Sequence, residues 1–297
     1  MTFNPLTESL APGVLSAEEV GVLIIEPLRL RSVALRTSTN VATIRPSYRF
    51  PIIAADAAAQ WVPEGTFIPE SQPTVDELVV TPVKVAALVS VTNELIADSA
   101  ENATATGVVA DGLVRKFART LDLAFYGDTV TNGPDGVYSL DGAQSVTYDS
   151  SIPNLDVFAT AISKLESVGV VCTSFAASFN TVLELALLKH FTGTFEGGAT
   201  SNEPLLQSSP GDVQNPTTRT IFGVPLYAVP EGTLSDGVIV AVGAEKVFTV
   251  MRQDISVVAT PFGPGFGADS VTIRATLRAN YGFPQQNAVV IIAPEGS

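Results

Sequence analysis

One cysteine, Cys172, and one histidine, His190, are all that 297 residues supply of either type. A single thiol cannot build an intrachain disulfide framework, and one Cys with one His does not reproduce the ligand spacings that hold zinc. No metal and no cofactor are expected. Catalytic signatures are missing too. There is no G-x-S-x-G elbow and no H-E-x-x-H, and the glycine-rich stretch Pro261-Phe262-Gly263-Pro264-Gly265-Phe266-Gly267 lacks the G-K-[ST] ending that binds phosphate, so it reads as a flexible connection. A Cys172/His190 nucleophile pair is disfavoured because Val170-Val171-Cys172 reads as a buried strand, where a thiol is inert. His190 reads as a cation complementing a helix C-terminus. No catalytic residue is expected, and the chain reads as a non-enzyme.

Positive charge is scarce: 16 Lys and Arg stand against 30 Asp and Glu, a formal net charge of −14. That sign opposes any affinity built on neutralising phosphates, so sequence-specific nucleic-acid binding is not expected, while a container that holds nucleic acid without sticking to it tolerates it. Long hydrophobic runs are lacking as well. Stretches such as Val289 to Ala293 fall far short of the roughly 20 residues a membrane-spanning helix needs. No signal peptide or basic leader precedes the first apolar segment, and the expected setting is a reducing cytoplasm. Charged residues are only 15% of the chain and hydrophobic ones 46%. That leaves too little polar surface to cover a monomer comfortably, and burial between subunits is the natural remedy.

The length allows about two lobes. Residues 1–15 carry Pro5, Pro12 and Gly13 without periodicity and read as an extended arm. Ser16 followed by Glu18 and Glu19 predicts a short helix over 17–25 that Pro27 breaks or kinks. The alternation around Val33, Leu35, Val41 and Ile44 then looks strand-like. From Arg45 to Thr81 five prolines, at 46, 51, 63, 69 and 73, interleave with strand formers, a pattern suited to a hairpin with exposed edges. An isolated two-stranded hairpin is marginal in water, so this one must rest on something. The carboxylates along it, Glu64, Glu70, Asp76 and Glu77, read as a solvated or neighbour-pairing face. An apolar run from Val83 to Val91 predicts a long strand.

Val109, Leu113, Phe117, Leu121 and Phe125, spaced by four, predict a long helix from about Ser99–Asn102 to Gly127, with Asp111 one turn before Arg115. Gly107 and Gly112 each weaken it by roughly 1 kcal/mol relative to Ala, so packing must support it. Tyr138 to Tyr148 reads as a small loop or hairpin, and a second domain is expected from Pro153. Leu155, Phe158, Ile162 and Leu165 predict a helix closed by Gly169, and Thr181 with Glu184 reads as a capping box opening another that ends at Lys189-His190. A polar loop over 192–219 precedes strands at 221–229, 238–242 and 247–251. Over 270–280, Val271, Ile273, Ala275, Leu277 and Ala279 alternate with Thr272, Arg274, Thr276, Arg278 and Asn280, so one face is buried and one wet. Arg274 and Arg278 share the wet face.

Several strings carry a resemblance in their order. They are Trp61-Val62-Pro63-Glu64-Gly65, Ile68-Pro69-Glu70-Ser71, Lys84-Val85-Ala86-Ala87-Leu88-Val89, Val91-Thr92-Asn93-Glu94-Leu95-Ile96-Ala97-Asp98-Ser99, Leu121-Asp122-Leu123-Ala124-Phe125-Tyr126-Gly127 and Phe222-Gly223-Val224-Pro225-Leu226. Together with Ile273 to Arg278 and Ala288 to Ile292, they resemble tailed-phage major capsid proteins of the Hong Kong ninety-seven type across residues 17–293. The resemblance implies an α+β fold: an N-terminal arm and short helix over 1–44, an extended hairpin loop over 45–85, a peripheral domain with a long spine helix over 86–152, an axial domain over 153–260, and return strands to the peripheral domain over 261–297.

It also implies a function: a homo-oligomer of hexamers and pentamers tiling an icosahedral virion shell around double-stranded DNA, assembled in the host cytoplasm, with the loop of each copy lying across its neighbour. Trp61, Glu64, Phe67 and Glu70 are the expected intersubunit contacts, the two aromatics serving as anchors. Some family members crosslink through a lysine near the loop tip. No lysine stands between Met1 and Pro82, so no covalent crosslink is expected. Some members also carry a scaffolding segment ahead of the shell domain, of which there is no trace here; a separate scaffolding protein, a portal and a decoration protein are the implied partners. The alternative within the fold is an encapsulin-like nanocompartment shell holding a protein cargo.

Overall fold

The computed structural model describes residues 26–55, 59–68, 70–94, 104–149, 152, 154–188, 219–260, 267 and 269–295. The arm over 1–15, the helix over 17–25, His190, the polar loop before Arg219 and nearly all of the glycine-rich stretch at 261–267 lie outside the described residues.

Two short helices open the described chain, α1 (Glu26–Arg31) and α2 (Val33–Thr37). Pro27 is the second residue of α1 and does not end it; at the start of a helix its missing N–H has no acceptor to lose. Val33 and Leu35 are helical, not extended. Ser32 caps α2 by accepting from the Leu35 backbone N–H at 3.3 Å, and Val33, Ala34, Leu35 and Thr37 are all buried. A five-residue helix covered on several sides leaves no 3.6-residue signal to read.

Strands β1 (Thr39–Thr43), β2 (Tyr48–Ala55), β3 (Thr74–Val80) and β4 (Val83–Thr92) follow, then helix α3 (Thr104–Tyr126). The C-terminal half of α3 buries Leu113, Phe117, Leu121 and Phe125, the stripe that spacing by four dictates. The Asp111–Arg115 pair forms at 2.8 Å, and Arg31 of α1 joins Asp111 at 2.5 Å.

Next come β5 (Gln144–Tyr148), α4 (Asp156–Ser167), β6 (Ser174–Ser178), α5 (Phe179–Leu187), β7 (Arg219–Ile221), β8 (Val224–Val229), β9 (Ile239–Val242), β10 (Phe248–Thr260), β11 (Ser270–Gly282) and β12 (Val289–Pro294). Three expectations need correcting in this half. The region of Tyr138–Tyr148 is no hairpin: its last five residues form β5, which pairs parallel to β12. Cys172 precedes β6 instead of lying in a strand. Finally, α5 is capped by Ser178, whose Oγ accepts from the Thr181 N–H at 3.2 Å; Thr181 lies inside the first turn, where its Oγ1 accepts from the Gly237 N–H.

Two main sheets result, β1-β10-β11-β4 and β5-β12-β9-β6-β8-β7, with β2 and β3 forming a separate pair. Leu113, Val114, Phe117, Ala118 and Leu121 of α3 pack with Ala275, Leu277 and Ala279 on one face of the four-stranded sheet. Helices α4 and α5 cover one face of the six-stranded sheet through Phe158, Ala161, Leu165, Val182 and Leu185. The end of α3 plugs its other face, with Phe125 and Tyr126 against Val240, Val242 and Val289. A single helix thus ties both sheets together. The described residues 269–295 are divided between them: β11 pairs in the four-stranded sheet, whereas β12 lies between β5 and β9 in the six-stranded one.

Candidate assembly surface

The β2–β3 pair is seated at its base and bare at its tip. Phe50 and Val80 pack on Val250, and the Phe50 and Phe248 rings stack at 4.5 Å between centroids. Gly282 lets this base approach the four-stranded sheet: a Cβ there would lie 3.0 Å from both the Phe50 ring and Val80. Asn280 Nδ2 donates to the Thr81 carbonyl at 2.7 Å. Farther out, β3 is exposed from Thr74 to Glu77, and the Arg49–Glu77 ion pair at 2.8 Å is solvent-facing, worth at most about 1 kcal/mol.

The tip is a defined turn. Thr66 N–H and Oγ1 both donate to the Pro63 carbonyl, at 3.3 and 2.7 Å, and Gly65 takes φ +81°, the left-handed conformation that glycine adopts at no cost. This turn presents Trp61 and Phe67 at 102% and 101% relative exposure, so neither ring touches its own protomer to any useful extent. Trp61, Glu64 and Phe67 are brought together on one loop, and Glu70 is exposed on the way into β3.

Basic side chains gather on the face of the four-stranded sheet opposite α3. Lys84, Arg278 and Arg252 are cross-strand neighbours in one row, and Arg274 lies opposite Leu88 and Val258.

One buried acid was not singled out in the sequence. Asp122 of α3 is fully buried and accepts from Ser32 Oγ at 2.7 Å and from the Ala34 N–H at 2.9 Å, holding the start of α2 against α3. Burial raises its carboxyl above the ordinary range; the bonds from Ser32 and Ala34 act in the opposite direction but do not cancel it. The readable signal was an acid at the centre of the buried stripe, flanked by Leu121 and Phe125. Tyr281 donates to the Leu121 carbonyl at 2.7 Å beside it.

Chemistry elsewhere is sparse. Cys172 is buried and its thiol is pushed up to about 11, chiefly by desolvation, so thiolate is negligible at neutral pH. Among the described residues no group of His, Cys, Asp and Glu could hold a metal ion, and no helix is long and apolar enough to cross a membrane.

The body is a two-sheet α+β unit tied by one long helix, with an arm anchored at its root and aromatic at its free end. The chain belongs to the phage capsid family, whose model matches residues 13–293, and its fold is the Hong Kong ninety-seven type. Solved structures of similar fold include a chain of Microbacterium phage Oxtober96, 18% identical with a TM-score of 0.68 over 99% of this chain and 96% of that one. A chain of Mycobacterium phage Cain is 19% identical with a TM-score of 0.64 over 95% and 99%. A chain from the capsid of a native GTA particle is 18% identical with a TM-score of 0.62 over 98% and 94%. No curated protein matches the chain significantly.

Proposed function

We propose that this chain is the major head-shell protein of a tailed phage, its copies joining head to tail into hexamers and pentamers of an icosahedral shell around double-stranded DNA. Membership in the phage capsid family supports a structural, non-enzymatic role in the virion. The observation that carries the mechanism is the arm, whose Trp61 and Phe67 have no packing partner among the described residues of their own chain. Large apolar side chains held at the end of an anchored hairpin contribute stability only when another copy covers them.

In this arrangement residues 45–85 form the extended loop, with Trp61 and Phe67 as buried anchors and Glu64 and Glu70 as flanking charges. Lys84 and Arg274 on the four-stranded sheet give an acidic arm from a neighbour charges of opposite sign. Residues 86–152 with α3 serve as the peripheral part and 153–260 as the axial part. Heterologous contacts of this kind close into rings when the rotation allows. The net charge of −14 suits a wall that encloses DNA without adhering to it. Assembly in the host cytoplasm with a separate scaffolding protein, a portal and a decoration protein as partners completes the reading. The encapsulin-like alternative is set aside, because the family matched is that of phage capsids.

Electron microscopy of the purified protein, alone and with its phage's other head proteins, tests the reading. Isometric shells are the expected result. A stable 31 kDa monomer at every concentration and with every partner overturns it.

A further inference from the structure

Asn132-Gly133 is the one Asn-Gly pair in the sequence, and the fold asks for both residues. Asn132 takes φ +59°, in the left-handed region that asparagine enters more readily than most residues with a side chain. Gly133 is needed for a different reason: a Cβ built there would lie 2.7 Å from both Cβ and Cγ1 of Val130, far inside the contact distance of packed carbons. Two backbone bonds close the turn, from the Gly133 N–H to the Val130 carbonyl at 2.8 Å and from the Val130 N–H to the Pro134 carbonyl at 3.2 Å. Its outer side is open to water, with Asn132 exposed and Gly133 half-buried.

The same pair is chemically labile. Glycine puts no side chain in the way of its own backbone nitrogen, so that nitrogen, once it has given its proton to water or hydroxide, attacks Asn132 Cγ. The N–Cγ bond forms as the Cγ–Nδ2 bond breaks, Nδ2 leaves as ammonia, and a cyclic imide remains. Water then opens the ring at either carbonyl, giving aspartate or, with the main chain rerouted through the side chain, isoaspartate. The net change is asparagine plus water to a carboxylic acid plus ammonia, with nothing oxidised or reduced.

The closed turn opposes the first step, because the proton that must leave is held in the bond to Val130. We propose that Asn132 is a self-modification site gated by its turn: shut while Gly133 donates to Val130, converted when the turn opens, and unable to close again as isoaspartate, which adds a methylene to the main chain between the bonded groups. The consequence reaches the core. Just beyond the turn, Gly136 presses on the end of α3, where a Cβ would lie 2.3 Å from the Ala124 and Gly127 carbonyl oxygens. The Tyr138 N–H donates to that same Gly127 carbonyl at 3.0 Å, and Val137 packs in one cluster with Phe125 and Tyr126. A turn that no longer closes therefore loosens the end of the helix that ties the two sheets together.

The test follows Asn132 by peptide mapping and mass spectrometry in the full chain at mildly alkaline pH, folded in buffer or unfolded in guanidinium chloride. The unfolded chain is expected to convert Asn132 ahead of every other asparagine, and the folded protein at least about tenfold more slowly, a ratio equal to about 1.4 kcal/mol of turn closure. Equal rates, or an unfolded chain in which Asn132 does not lead, overturn the proposal. Gly136→Ala pushes the loop off α3 without touching the pair and should narrow the ratio; a folded variant with the parent's rate overturns the gating, and if this variant does not fold, the comparison of folded and unfolded parent decides alone. Asn132→Gly keeps the left-handed turn and cannot convert. Stored side by side, the parent should lose thermal midpoint as isoaspartate accumulates while Asn132→Gly holds its own; a converted parent with an unchanged midpoint overturns the claim that the turn cannot close again.

Discussion

Replacing Trp61 with Ala separates folding from assembly. In the protomer the residue is as exposed as in an unfolded chain, so truncation removes no packing and unfolding of the unassembled protein should change by less than about 0.5 kcal/mol, as for ordinary surface positions. In the shell the same ring is an anchor, and burying a large apolar side chain contributes about 2–3 kcal/mol. At 1.4 kcal/mol per factor of ten, one arm contact per copy weakens by about 30- to 140-fold. The threshold concentration for assembly, followed by sedimentation or light scattering, should rise by the same order. Trp61→Ala with Phe67→Ala should raise it further. Assembly of Trp61→Ala at the parent threshold would refute the reasoning, as would a protomer destabilised by more than about 1 kcal/mol, which would mean the ring packs on its own chain.

Asp122→Ala leaves the Ser32 hydroxyl and the Ala34 N–H buried without an acceptor; a loss of about 2–4 kcal/mol is expected in urea unfolding, with Asp122→Asn losing less because its amide oxygen still accepts. Because burial raises the Asp122 carboxyl, the folded state holds a proton that the unfolded state has already released. The parent's stability relative to Asp122→Asn should therefore be greatest below the ordinary carboxylate range and decline as pH rises through the raised value; a difference independent of pH would contradict this. Gly282→Val drives a side chain into Phe50 and Val80 and should destabilise the protomer by about 1–3 kcal/mol. An unchanged thermal midpoint would show that the base of the arm is not seated there. Denaturing electrophoresis of mature particles should give a single 31 kDa band, and a ladder would show that a lysine outside residues 1–82 crosslinks copies.

Long periodic elements were legible in the sequence. The spacing of Leu113, Phe117, Leu121 and Phe125 wrote α3, and the alternation from Val271 to Asn280 wrote β11, because in each case the apolar residues that meet a common core share one face. Short elements covered on several sides were not. Val33 and Leu35 look extended because α2 is buried nearly all round, its direction set by a serine cap and by Asp122, 88 residues beyond Ala34. For β5 only the parallel partner β12, far along the chain, makes the segment a strand. The bareness of Trp61 and Phe67 followed from the proline-punctuated run around them. The positive φ of Phe222 stayed hidden, since no residue pattern announces it when the turn breaks the usual Asn-Gly rule.

A map of the assembled particle at side-chain resolution tests most directly whether the protomer is completed by its neighbours. Trp61 and Phe67 are predicted to lie buried against an adjacent copy, on or beside the face that carries Lys84 and Arg274. Particles in which both rings remain in solvent, or fold back onto their own subunit, would contradict it.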